Sequence, residues 1–174
     1  MAQKDFMYNW IREKSGKAKL FSERELKFLC NYDYNQFERD MGDRRYKFNV
    51  LSDSYYVEKL LKWFERESGE KLKNYNYDLI IHTFGVGDYF SKHKDAISIH
   101  DKNRAYVVGV PLNSDYTGGE YILYEPDEIL TKEAGVPYYF TSDRMHEIAK
   151  VESGIRKSAL IFIYYEDLEK KNLI

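Results

Sequence analysis

Four histidines occur in the 174 residues, at positions 82, 93, 100 and 146. One of them opens the triplet His93-Lys94-Asp95. On an extended strand, residues two apart project to the same face, so this imidazole and this carboxylate point the same way. A third donor from a distant strand would complete a facial set on one side of a metal ion. His146 is the candidate, fifty-one residues beyond Asp95 and at the head of a predicted strand. Two imidazoles and one carboxylate, with open positions opposite, form the usual donor set for non-haem Fe(II). An H-x-D triplet alone arises readily by chance, so its surroundings must add weight. Ten residues after His146 the run Gly154-Ile155-Arg156-Lys157-Ser158 includes a guanidinium. That group meets a carboxylate through two parallel hydrogen bonds, which suits Arg156 to a ligand carboxylate. Ser158 shares its strand face and adds a hydroxyl. Taken singly, His146 also reads as a satisfied structural histidine and Arg156 as a salt-bridged strand residue. His82, in an apolar strand, reads as packing, and His100 as part of a polar connection.

The elements that must hold these residues fall into two textures. The first third reads as helical. Ser22-Glu23-Arg24-Glu25 has the form of a capping box and predicts a helix through about Asn31. From Asp53 to Ser68, Val57, Leu60, Leu61 and Phe64 recur at three- and four-residue spacing, and Gly69 can end the helix. That stripe is expected to pack on a sheet. From Tyr75 onward short β-prone runs follow one another: 77–84, 106–112, 120–124, 136–140, 146–151 and 155–165. Strands of this length joined by turns predict a sandwich or jelly roll. The run Ala159 to Tyr164 is too apolar for a solvated edge and reads as a central strand. The polar stretch 96–103 reads as a mobile lid or a solvated linker. Lys92, Lys94 and Arg104 are a possible basic rim, with a solvated charged face as the plainer reading.

Composition sets the outer bounds. Apolar residues make up 43% and charged residues 32%, a globular rather than disordered balance. The 17% aromatic content, with seventeen Tyr and ten Phe, favours strands. A net charge of −2 gives no global basic field, so nucleic acid is not an expected partner. Cys30 is the single cysteine, which excludes an intrachain disulfide and fits a reducing compartment. Neither a signal-peptide pattern nor a run of eighteen apolar residues is present, so a cytoplasmic or nuclear setting without membrane contact is expected. The length fits one domain over residues 1–174, with helical support over about 1–74 and the β core over about 75–167.

Over about residues 77 to 165 the sequence resembles the prolyl 4-hydroxylase-like 2-oxoglutarate/Fe(II) oxygenases. Phe84-Gly85-Val86-Gly87-Asp88-Tyr89-Phe90-Ser91-Lys92-His93-Lys94-Asp95 is similar to the family's strand and turn into its first two metal ligands. Arg104 to Asn113 resembles its next long strand, and Tyr116-Thr117-Gly118-Gly119-Glu120 its G-G-E turn. Phe140 to His146 resembles the segment bearing the distal histidine. Val151 to Arg156 resembles the segment bearing the arginine that holds 2-oxoglutarate. The resemblance implies a mainly β fold, a double-stranded β-helix (jelly-roll, cupin-like) core with N-terminal helices packed on one sheet. It implies Fe(II) on His93, Asp95 and His146, and 2-oxoglutarate on Arg156 with Ser158. It also implies decarboxylation of 2-oxoglutarate to succinate coupled to hydroxylation of a substrate, with ascorbate as an accessory reductant. Two positions depart from the family. Phe84 and Pro111 stand where a tyrosine often bonds the 2-oxoglutarate, and neither can do so.

These readings converge on a hydroxylase of a side chain, best fitted to prolyl in an intracellular protein or peptide. The prolyl part rests on fold-level analogy alone. A free amino acid or another small molecule is the alternative substrate. A nucleic-acid demethylase fits less well, since no second arginine follows Arg156 and the charge is not basic. From another class, a non-catalytic jelly-roll module for metal binding or interaction is the competing reading. Such a module would tend to lose a ligand or the arginine, and all four are present.

Overall fold

The computed structural model describes residues 18–95 and 103–170. The lid expected over 96–103, Asn103 apart, lies outside the described residues, and so does His100. Helix α1 (Glu23–Cys30) starts as its sequence predicts. The Ser22 hydroxyl accepts from the Glu25 N–H, and the Glu25 carboxylate accepts from the Ser22 N–H. Helix α2 (Ser54–Ser68) is capped by Asp53 and ended by Gly69 at φ 76°, a left-handed turn that favours glycine. Its stripe of Val57, Leu60, Leu61 and Phe64 is buried.

Twelve strands follow or flank these helices. They are β1 (Phe37–Met41), β2 (Arg44–Leu51), β3 (Leu79–Phe84), β4 (Tyr89–His93), β5 (Arg104–Pro111) and β6 (Thr117–Gly118). The remainder are β7 (Tyr121–Leu123), β8 (Glu128–Ile129), β9 (Tyr138–Thr141), β10 (His146–Ile148), β11 (Val151–Ser153) and β12 (Arg156–Tyr164). Ten of them form one antiparallel sheet in the order β8-β7-β10-β4-β2-β3-β12-β5-β9, with β1 paired on β2, while β6 and β11 pair separately. The sheet rolls up. Strands β7 and β9 lie near its opposite ends, yet the Tyr121 ring is 5.8 Å from Tyr138 and 5.5 Å from Phe140. The molecule is thus mainly β, with the rolled antiparallel core expected of a double-stranded β-helix.

The first third is not wholly helical. Strands β1 and β2 form a hairpin inside the segment expected to be helical support. All five β1 residues are exposed, so no alternating apolar pattern marks this strand. The hairpin is held instead by its neighbours: β2 pairs with β3 and β4, and Phe37 stacks on Phe48 at 5.4 Å. The strand from 159 to 164 is central as expected, with β12 between β3 and β5. The expected run 146–151 divides into β10 and β11.

Two buried clusters result. One joins α1 and α2 to the outer face of the sheet through Leu60, Leu61, Phe64, Ile81, Val108 and Ile161. The other fills the rolled interior with Tyr46, Phe84, Tyr121, Tyr138, Phe140 and Leu160. The interior also buries the polar side chains of His82, His146, Arg156 and Ser158.

Candidate active site

His93 ends β4, Asp95 lies in the turn that follows, and His146 opens β10. Strands β4 and β10 pair with His146 directly opposite His93, so two residues far apart in sequence become cross-strand neighbours. Their ring centroids are 4.2 Å apart. The two imidazoles are oriented by the same device. Nδ1 of His93 lies 2.6 Å from the Ser91 carbonyl oxygen, and Nδ1 of His146 lies 2.9 Å from that of Arg144. A carbonyl only accepts, so each Nδ1 carries the proton and each Nε2 turns to the centre.

There Nε2 of His93 lies 3.3 Å from Asp95 Oδ1, and Nε2 of His146 lies 3.4 Å from Asp95 Oδ2. All three donors fall within 4.8 Å of one another. Two lone pairs and a carboxylate converging at this range repel unless a proton or a metal ion stands between them, so the donor set fits a divalent cation. Burial pushes the Asp95 carboxyl up. Protonated forms of His93, which then donates to it from Nε2, and of His146 outweigh that burial together with the Arg104 charge, and hold the group below the usual carboxylate range until a metal ion takes the place of those protons. Burial lowers the His146 imidazole, against the pull of Asp95, which keeps Nε2 free of a proton.

Arg156 starts β12 opposite Phe84 and is 4% exposed. Its Nε donates to the Gly119 carbonyl at 3.0 Å and its Nη1 to Ser158 Oγ at 3.1 Å. The guanidinium carbon lies 5.4 Å from the Phe84 ring and 5.7 Å from the Tyr121 ring. Among the described residues no carboxylate pairs with it, so a buried cation rests on neutral partners, the arrangement expected of a receptor for a ligand anion. The turn beside it requires glycine. Gly118 has φ 70°, and a Cβ there would stand 2.3 Å from the Lys150 carbonyl oxygen. The Tyr121 ring is also 5.7 Å from the His146 ring, so a single side chain separates the three-donor cluster from Arg156.

An open cavity of about 490 Å³ leads to the cluster. Arg39, Arg44, Lys94, Arg104, Phe90 and Phe162 are among its walls. Arg44 lies 4.3 Å over Phe90 and Arg104 3.8 Å over Phe162, so both planar cations are held on ring faces. Arg104 Nη1 is also 3.6 Å from Asp95 Oδ1. Of the basic rim expected from sequence, Lys94 and Arg104 line this mouth, while Lys92 lies 3.9 Å over Tyr124. His82 is buried, and its imidazole is held down to about 3 by burial, with Arg156 adding to the effect and Asp95 opposing it.

The structure therefore brings His93, Asp95 and His146 to one point and Arg156 with Ser158 to a neighbouring one. Sequence reasoning passed over Tyr121, Tyr138, Arg39 and Arg44. Tyr121 follows the Gly118-Gly119-Glu120 turn and shares a strand face with Leu123, a signal that was available. The arginines lie on the unexpected hairpin.

No family model matches the sequence, and no curated protein matches it. Solved structures do match. A prolyl-4-hydroxylase of Pseudomonas putida superposes with a TM-score of 0.69 at 14% identity, covering 85% of this chain and 90% of its own. The viral collagen prolyl hydroxylase of Paramecium Bursaria Chlorella virus-1, solved with 2-oxoglutarate, gives 0.65 at 17% identity, covering 83% and 91%. A Trichoplax adhaerens prolyl hydroxylase, in complex with a peptide fragment of the hypoxia inducible factor oxygen degradation domain, gives 0.68 at 12% identity, covering 95% and 92%. At such identities the likeness is one of fold. The fold of this chain is that of the prolyl 4-hydroxylase-like 2-oxoglutarate/Fe(II) oxygenases.

Proposed function

We propose that the chain is a 2-oxoglutarate- and Fe(II)-dependent dioxygenase that hydroxylates a side chain, best fitted to prolyl in a protein or peptide. The observation that carries this reading is the pairing of two sites across one aromatic ring. A three-donor cluster stands on one side of Tyr121, and a buried guanidinium with only neutral partners stands on the other. His93, Asp95 and His146 would hold Fe(II), which supplies dioxygen activation coupled to loss of CO₂ from 2-oxoglutarate. The overall reaction balances: substrate C–H, O₂ and 2-oxoglutarate give C–OH, succinate and CO₂.

The chain's own residues do the positioning. The carbonyls of Ser91 and Arg144 hold both imidazoles in one tautomer, so the donor set is formed before any ion arrives. Arg156 takes the distal carboxylate of 2-oxoglutarate, and Ser158 keeps the guanidinium in place by accepting from Nη1. Phe84, Tyr121 and Phe140 wall this region with rings and exclude water from it. The prolyl assignment draws support from the fold shared with prolyl hydroxylases, one of which holds a peptide. The open mouth admits a chain segment as well as a small molecule.

The test is succinate formation from 2-oxoglutarate with Fe(II) and O₂, run with and without ascorbate. It is coupled to mass spectrometry of a peptide library for gain of one oxygen. Succinate above the Asp95→Ala background is expected, and oxygen gain on a prolyl residue. Succinate equal to that background would overturn the oxygenase reading. Oxygen gain on a free amino acid alone would overturn the peptide assignment.

A further inference from the structure

One buried group finds no use in the site as described so far. Tyr138 is 2% exposed, and its buried hydroxyl, which the Arg156 guanidinium approaches as a donor, finds no acceptor for its own proton among the described residues. Leaving such a donor unmatched in a buried site is costly, because it has given up its hydrogen bond to water. Packing does not account for it, because a phenylalanine would fill the same space. Phe140, two residues along the same face, has its ring 6.5 Å away and nearly parallel.

The direction of the side chain explains the hydroxyl. Tyr138 on β9 sits opposite Gly109 on β5, and Gly109 sits opposite Leu160 on β12. A Cβ at Gly109 would stand 2.6 Å from both Cζ and Oη of Tyr138. The phenol therefore runs across the bare Cα of Gly109, with its polar end toward β12. Leu160, Ser158 and Arg156 share one face of that strand. Burial pushes the phenol up to about 12, outweighing the charge of Arg156 and its hydrogen bond to the phenol oxygen, and keeps the proton in place as a donor. Two donors, a guanidinium with neutral partners and a phenol whose proton meets no acceptor, thus share one closed interior. What both lack is an acceptor with two oxygens.

We propose that Tyr138 is a ligand-binding residue whose hydroxyl donates to the distal carboxylate of 2-oxoglutarate, beside Arg156, with Gly109 as the gap that lets it reach. This rests on the oxygenase reading above. It supplies the tyrosine that Phe84 and Pro111 cannot provide, from a different strand.

The experiment measures binding without turnover. Calorimetry of the full chain loaded with Mn(II) compares 2-oxoglutarate with pyruvate, a 2-oxo acid that has no distal carboxylate. Tyr138→Phe is expected to weaken 2-oxoglutarate about 10- to 100-fold, as for loss of one hydrogen bond to a charged group. Its affinities for Mn(II) and for pyruvate are expected to stay at the wild-type values. The ligand-free variant is expected to melt no lower than wild type, since only an unmatched hydroxyl is removed; a purely structural tyrosine would lower Tm. Gly109→Ala, which blocks the phenol's path, is expected to weaken 2-oxoglutarate in the same sense. Tyr138→Phe binding 2-oxoglutarate within about twofold of wild type, while Arg156→Ala binds it poorly, would overturn this inference alone. Wild-type affinity in both variants would overturn the cofactor reading as well.

Discussion

Alternate residues of the same strands face two different interiors. On β12, Ala159, Ile161 and Ile163 meet the helices, while Arg156, Ser158 and Leu160 face the rolled core. On β3, Leu79 and Ile81 go one way and His82 and Phe84 the other. On β5, Val108 and Val110 oppose Val107 and Gly109. The helix side is packed with hydrocarbon, and its contribution is stability. The inner side mixes rings with imidazole, guanidinium and hydroxyl groups, which are costly to bury unless paired. The cost is accepted on the side where a metal ion and an anion would answer those groups. A one-residue step along a strand therefore separates a change in stability from a change in chemistry.

Substitutions on the two sides sharpen that contrast, and the largest effect is expected inside. Asp95→Ala should weaken Mn(II) or Fe(II) by more than about a hundredfold and abolish succinate formation. The ligand-free protein should keep its urea midpoint; a large fall in that midpoint would break the division of labour. On the helix side, Phe64→Ala should cost about 3–5 kcal/mol of folding stability by urea titration. The fraction still folded should bind metal as the wild type does. Arg156→Ala should cost about 2–5 kcal/mol of 2-oxoglutarate binding with little change in metal affinity, again by calorimetry.

A smaller effect comes from acid. The buried His82 titrates at about 3, below its ordinary 6.5, so between these values the unfolded chain binds a proton that the folded chain refuses. Stability contributed by the neutral ring is therefore full above the ordinary value and is lost as pH falls toward 3. Between about pH 7.5 and pH 5 the loss is about 2 kcal/mol. His82→Phe should flatten that part of the pH–stability curve, and an unchanged slope would remove His82 as its source.

Local signals in the sequence determined a good deal. The Ser22 and Asp53 caps, the stripe from Val57 to Phe64 and Gly69 fix two helices, because each depends on residues within one or two turns. The shared face of Arg156 and Ser158 follows from strand geometry alone, whereas Asp95 lies in the turn after β4, so that turn and not strand alternation brings it to His93. The hairpin from Phe37 to Leu51 was not legible. Its charged first strand buries nothing, and its stability comes from β3 and β4, which lie far along the chain. The two-residue turn at Gly42-Asp43 was the one local hint.

Only the rolled sheet decided which distant residues meet. Register between β4 and β10 sets His93 against His146, and no local pattern specifies it. The reach of Tyr138 depends on Gly109 twenty-nine residues earlier and on Arg156 eighteen residues later. Short-range sequence chooses the face of a strand because side-chain alternation is a property of the backbone. Which groups share that face's interior is set by long-range pairing, whose free energy is spread over the whole sheet.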